Sequence, residues 1–91
     1  MYKRQTTVIN TSGLHARPAA EFVELAKKYE SKITIKRLDE NTDAVNAKSI
    51  VFLLSLGIGK GTQVEICGKG DDESEAVDAL VALIESFDED H

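Results

Sequence analysis

Ninety-one residues, 42% of them hydrophobic and 30% charged, describe one soluble globular domain with a thin core, keeping about 5,200 Å² of surface when folded. That size excludes α/β barrels, full dinucleotide-binding folds and deep substrate pockets, and it moves any chemistry to the surface, where a partner completes it. A net charge of −5 excludes general attraction to nucleic acid or anionic membranes.

Cys67 is the single cysteine. It allows no internal disulfide and no cysteine-based metal framework, and it fits a reducing cytosol. The start, MYKRQTTVINTSG, lacks the apolar stretch of a signal peptide, and the apolar run at residues 50–54 is far too short to span a bilayer. A cytoplasmic protein is expected. No repeat or linker divides residues 1–91, so one domain is expected as well.

Residues 5–9 (QTTVI) are rich in β-branched side chains and stop at the turn formers NTSG, which predicts a strand and then a loop. Ala19, Phe22, Val23, Ala26 and Tyr29 follow the spacing of one helical face, with Glu21, Glu24, Lys27 and Lys28 largely off it. Pro18 falls in the first turn, where its missing N–H is harmless. A helix over residues 16–29 follows. Lys32–Arg37 alternates with a period of two, a strand burying Ile33 and Ile35. Residues 39–43 read as a solvated turn and 44–46 as a short returning strand.

The run at 50–54 (IVFLL) has two readings. Its apolar, partly β-branched character suits a buried strand, whereas Ser49 before it and Gly57 after it are residues that cap helices. Gly57, Gly59 and Gly61 make the next stretch a flexible connection, and residues 62–68 alternate Val64 and Ile66 as a strand. DESE at 72–75 carries a capping-box signature, and Ala76, Leu80, Leu83 and Phe87, widened by Val77 and Ile84, form the stripe of a last helix. An acidic tail closes the chain. Strands apolar on one face, interleaved with amphipathic helices, imply an α+β domain of two layers.

The tract SGLHARPAA at residues 12–20 carries the chemistry. A helix N-terminus presents unsatisfied N–H groups and partial positive charge, so it attracts anions, phosphate in particular. An imidazole placed there offers a ring nitrogen as a nucleophile, which makes His15 the candidate acceptor. Arg17 adds a planar donor fork suited to phosphoryl oxygens. Gly13 lets the loop turn tightly beside the histidine. His15 therefore reads as a nucleophile that accepts a phosphoryl group. The plainer alternative is that His15 caps the helix and Arg17 is a solvated charge.

With GLHARPA at 13–19, VNAKSI at 45–50 and SLGIGKG at 55–61, the sequence resembles the HPr phosphocarrier family of the phosphoenolpyruvate-dependent sugar phosphotransferase system. The resemblance runs over essentially the whole chain. It implies an open-faced β-sandwich in the order β-α-β-β-α-β-α, four antiparallel strands with three helices on one face, so the run at 50–54 becomes a short helix. His15 matches the histidine that receives a phosphoryl group from enzyme I and passes it to an EIIA-type permease component, and Arg17 matches the arginine beside it. This implies a stoichiometric, monomeric carrier without a cofactor, not an enzyme. Ser49 matches a serine that, in many Gram-positive relatives, a dedicated HPr kinase/phosphorylase modifies to make a corepressor for a catabolite regulator. The alternative reading is thus a regulatory paralogue. Retention of His15 points away from the Crh type, in which that histidine is lost.

Docking is expected around the histidine. A short helix apolar around most of its circumference cannot be wholly buried in two layers, so Ile50, Val51 and Leu54 are expected to stay exposed beside Leu14, Ala16 and Ala20, with Lys27 on the rim. Leu53 is assigned to the core. Relative to the family pattern, Phe52 is unusually bulky, Thr6 replaces an apolar strand residue, Glu24 adds an acid and the 39–43 turn is longer. No metal site is visible.

Overall fold

The computed structural model of the protein describes residues 1–39 and 43–87. The elements run β1 (Tyr2–Thr7), α1 (Ala16–Ala26), β2 (Lys32–Arg37), β3 (Val45–Asn46), α2 (Ile50–Ser55), β4 (Gln63–Lys69) and α3 (Glu73–Ser86). All strand pairs are antiparallel, in the spatial order β1-β4-β2-β3. Helices cover one face. This is the expected architecture, and the run at 50–54 is helical. The middle of the 39–43 turn and the acidic tail lie outside the described residues.

Strand parity sorts the sheet. Ile33 and Ile35 on β2 and Val64 and Ile66 on β4 are fully buried and meet Phe22, Leu53, Val77, Leu80 and Ile84 from the helices. Gly68 belongs to the same row. A Cβ there would stand 2.9 Å from Val77 Cγ2 and 3.1 Å from the Glu73 carbonyl, so its bare backbone is what lets α3 start against β4. The exposed surface of 5114 Å² matches the value expected from mass. Among the described residues no helix is long and apolar enough to cross a membrane.

β1 begins and ends earlier than residues 5–9 predict. As an edge strand it pairs only with β4, from Tyr2↔Gly68 to Thr7↔Gln63. Lys3, Arg4 and Gln5 therefore join a strand while remaining exposed, which hydropathy reads as loop. Val8 turns into the core and Ile9 is 50% exposed. Thr6 keeps its buried place by donating its hydroxyl to Glu85 Oε2 at 3.1 Å, so the polar replacement gains a bond to α3. α1 ends at Ala26, three residues short of 29. Its last turn tightens, with Lys28 N bonded to Leu25 O at 3.1 Å and Tyr29 N to Ala26 O at 3.3 Å.

The capping box is a correction of another kind. Asp72 occupies the N-cap of α3, but its side chain makes no bond to its own helix. The carboxylate instead accepts from Glu30 N at 3.0 Å, from Ser31 N at 2.9 Å and from the Ser31 hydroxyl, pinning the α1–β2 turn. The Ser31 hydroxyl, then the Glu30 amide, hold the Asp72 carboxyl below the ordinary carboxylate range. Because the folded pKa is depressed, this stabilisation is complete above the unfolded value of about 3.9 and is lost as pH falls through the folded one. An Asp72→Asn variant is expected to melt below the parent at pH 7. It should also lose less on acidification, which thermal scans between neutral and strongly acidic pH would measure; equal acid sensitivity would remove Asp72 from the account.

Candidate functional site

The loop that delivers His15 is set by a close approach of two backbones. Gly13 has φ +65°, and a Cβ on it would lie 2.3 Å from Ile58 O and 2.6 Å from Gly59 Cα. No side chain fits there. The gap is closed by Leu14 N donating to Ile58 O at 3.0 Å, while Gly13 N donates to Asn10 O at 3.1 Å. Asn10, fully buried, donates its side-chain amide to Gly13 O at 2.9 Å, locking the turn from inside. The sequence marks Asn10 only as a turn former.

Leu14 corrects an expectation. It is 2% exposed and part of the core, not of a docking surface. The left-handed turn at Gly13 and the bond to Ile58 O send the Leu14 side chain inward and leave the next residue, His15, facing solvent.

His15 is the N-cap residue of α1, with extended backbone at φ −132°, ψ 151°, and its side chain makes no capping bond. A histidine whose task is to cap would direct a ring nitrogen to the first-turn amides. This imidazole is left available. Ala16 follows at φ +47°, a left-handed value that costs a non-glycine residue on the order of 1 kcal/mol. The N–H groups of Ala16 and Arg17, in the first turn, have no partner within the helix, and Pro18, buried, has no N–H to leave unpaired. An exposed imidazole and the first-turn amides thus share one helix mouth, and Arg17, exposed two residues on, lines the adjoining groove between α1 and α3. Such a mouth can hold a dianion on the imidazole ring.

Beside it lies the apolar surface. Ser49 caps α2, its hydroxyl accepting from Phe52 N at 3.4 Å. With Leu53 buried, Ile50, Val51, Phe52 and Leu54 remain exposed, Val51 at 71% and Phe52 at 53%. A shallow groove between α1 and α2 is lined by Ala20, Val23, Glu24, Lys27 and Ile50. A larger one, about 550 Å³, runs between α1 and α3 past Arg17, Ala20 and Leu83. Ala20 and Glu24 line both grooves, so Arg17, Lys27 and Ile50 lie along one surface, and Ala16 is exposed. Arg37 anchors this region from β2 and was not singled out by its sequence. Its guanidinium donates to Leu56 O at 2.9 Å and Gly57 O at 3.1 Å, at the end of α2, and is held by Asp39 at 2.8 and 3.0 Å.

Residues 2–86 match the family model described as the PTS HPr component phosphorylation site. The chain belongs to the PTS HPr family. It is 42% identical over 87 residues to the phosphocarrier protein HPr of Pseudomonas putida, covering 96% of this chain and 94% of that one. It is 45% identical over 85 residues to the HPr-like protein Crh of Halalkalibacterium halodurans, covering 93% and 98%. A multiphosphoryl transfer protein of Haemophilus influenzae matches at 40% over 77 residues, 85% of this chain, which spans only 15% of that longer protein. Among solved structures, HPr-C-His from Thermoanaerobacter tengcongensis superposes with a TM-score of 0.88 at 46% identity, covering 94% and 93% of the two chains. HPr-family membership accounts for the four-stranded sheet with three helices on one face and for a phosphocarrier role in the phosphotransferase system.

Proposed function

We propose that His15 accepts a phosphoryl group from phosphorylated enzyme I and hands it to an EIIA-type permease component, with residues 1–91 acting as a single monomeric domain in the cytoplasm. The observation that carries this reading is an exposed imidazole at the N-cap of α1 that does no capping. In the transfer step the lone pair of the unprotonated ring nitrogen forms a P–N bond as phosphorus leaves the donor. The proton on the other ring nitrogen stays to balance the dianion or passes to water. Arg17 and the first-turn amides stabilise the phosphoryl oxygens. A phosphoramidate keeps a high transfer potential, so the group moves on. Incubation with phosphoenolpyruvate and enzyme I should add one acid-labile phosphate; label that resists acid would sink the reading.

The exposed α2 residues serve as the docking face. Val51→Glu and Leu54→Glu are expected to change stability by no more than about 0.5 kcal/mol, because both side chains are exposed. They should raise the KM of phosphoryl transfer tenfold or more, since apolar contacts centred in an interface carry most of its energy. Initial rates against carrier concentration measure this, and an unchanged KM would move the docking face elsewhere.

A second reading is favoured by the 45% identity to a Crh protein and by Ser49 at the N-cap of α2. In it, an ATP-dependent kinase phosphorylates Ser49 and the product binds a catabolite regulator. A phosphate at that position is stabilised by the first-turn amides while adding negative charge near the docking face. Acid-stable label from ATP that disappears in Ser49→Ala, together with no acceptance from enzyme I, would make this the main activity.

A further inference from the structure

Cations on the sheet fall into two groups. Arg4 pairs with Asp78 at 3.2 Å, Lys36 with Glu65 at 3.8 Å and Arg37 with Asp39 at 2.8 Å. Lys3, Lys32 and Lys69 are exposed, and among the described residues none of them has an acidic partner. All three lie on the face opposite the helices, because they alternate with residues of the buried rows on β4 and β2 or, on β1, with Thr6.

Their register brings them together. Lys32 stands directly opposite Lys69, and Lys3 stands opposite Cys67, two residues before Lys69 on the same face. Opposed side chains in an antiparallel pair are about 5 Å apart and diagonal ones about 7 Å, so three ammonium groups reach a common point. Like charges directly opposed destabilise a sheet. The neighbouring row is neutral and polar, with Thr34 opposite both Cys67 and Asn46. At its β3 end a concavity of about 400 Å³ is lined by Lys32, Thr34, Ala44, Asn46 and Lys48. Lys48 donates to Tyr29 O at 2.6 Å and so keeps its charge at the rim.

Nearby acids do not neutralise the cluster. Glu65, one row further along, is engaged by Lys36, and Asp72 is turned to the amides of Glu30 and Ser31. Glu30 and Asp71 are exposed at the strand ends without an ion pair to these lysines. The cluster is also remote from the helix mouth. Lys69 ends β4 six residues beyond Gln63, which adjoins the 58–62 loop under Gly13, so about 20 Å of strand and the thickness of the sheet intervene.

We propose that Lys3, Lys32 and Lys69, with Thr34 and Asn46, form a second anion site for a compact ligand carrying two or more phosphoryl groups. Three point charges grouped by the strand register, with Lys32 also lining a ligand-sized concavity, suit such an ion. An extended acidic macromolecule is disfavoured by the net charge of −5, which repels it over the rest of the surface. Occupancy leaves the His15 face open, so the ligand and a phosphoryl-transfer partner bind together.

Titration of the isotope-labelled full chain with inorganic pyrophosphate, followed by NMR in physiological salt, tests this directly. Saturable shifts are expected at Lys3, Lys32, Thr34, Asn46 and Lys69, with orthophosphate at least fivefold weaker. Lys32→Gln and Lys69→Gln should each weaken pyrophosphate at least fivefold, and His15→Ala should bind as the parent does. Lys69→Glu, which places opposite charges across the pair, should raise the melting temperature while abolishing binding. The proposal is overturned by shifts confined to residues 15–20, by affinity indifferent to the lysine variants, by tighter binding of a polyglutamate peptide, or by a lowered melting temperature in Lys69→Glu. Because none of these readouts needs enzyme I, their outcome is separate from that of the phosphocarrier reading.

Discussion

A His15→Ala variant is expected to take up no phosphate from phosphoenolpyruvate and enzyme I, a loss of at least about a thousandfold in rate. The physical reason is that no other group at the mouth of α1 is a nucleophile. Arg17 is permanently charged, and the hydroxyls of Ser12 and, on the neighbouring α2, of Ser49 would form esters that hold the group instead of passing it on. Because the imidazole is exposed and caps nothing, its removal should shift stability by no more than about 0.5 kcal/mol. A denaturant curve on the same sample therefore separates lost chemistry from lost fold. Arg17→Ala should keep the labelling site and slow transfer by about tenfold to a hundredfold, the worth of one charge-assisted contact to a phosphoryl oxygen. Full-rate labelling of His15→Ala would reassign the acceptor.

Gly13→Ala should cost about 2–4 kcal/mol, combining roughly 1 kcal/mol for a left-handed alanine with the overpacking of a methyl group into a fixed wall. The wall is what makes the cost unavoidable. A flexible side chain could rotate away, but the Ile58 carbonyl and Gly59 Cα are backbone, and Leu14 N holds that carbonyl at 3.0 Å. Relief requires the two loops to part, which breaks that bond and swings His15 off the helix mouth. A lowered denaturation midpoint should therefore come with slower phosphoryl acceptance at temperatures where the chain is still folded. Gly61, which has φ +87° but open space around it, is the control: Gly61→Ala meets backbone strain without a clash and should cost less.

Much of the fold was legible because its signals are local. The period-two run at Lys32–Arg37 and the helical stripe through Phe22 and Val23 each declare their buried face without reference to the rest of the chain. β1 was misplaced because an edge strand open to solvent on one face has little hydrophobic signature, and its ladder with β4 joins residues some sixty positions apart. Asp72 has the sequence of an N-cap, yet the amides of Glu30 and Ser31, more than forty residues away, offer it better partners than its own helix. Leu14 is apolar and adjoins the histidine, and no periodicity tells which way a loop side chain turns.

By itself, the sequence located the candidate site. A histidine, an arginine and a proline at the opening of an amphipathic helix, preceded by a glycine, are residue types suited to an anion-binding nucleophile, because helix-terminus electrostatics and side-chain type are local properties. Only the tertiary structure decided which neighbours share that surface. It sent Leu14 inward and left Val51 and Phe52 out, joined Arg17 to Ile50 through Ala20, and set Lys32 across from Lys69 on the far face. Those outcomes depend on pairings between distant segments, where backbone hydrogen bonds and core packing fix which face of each element is left for a partner.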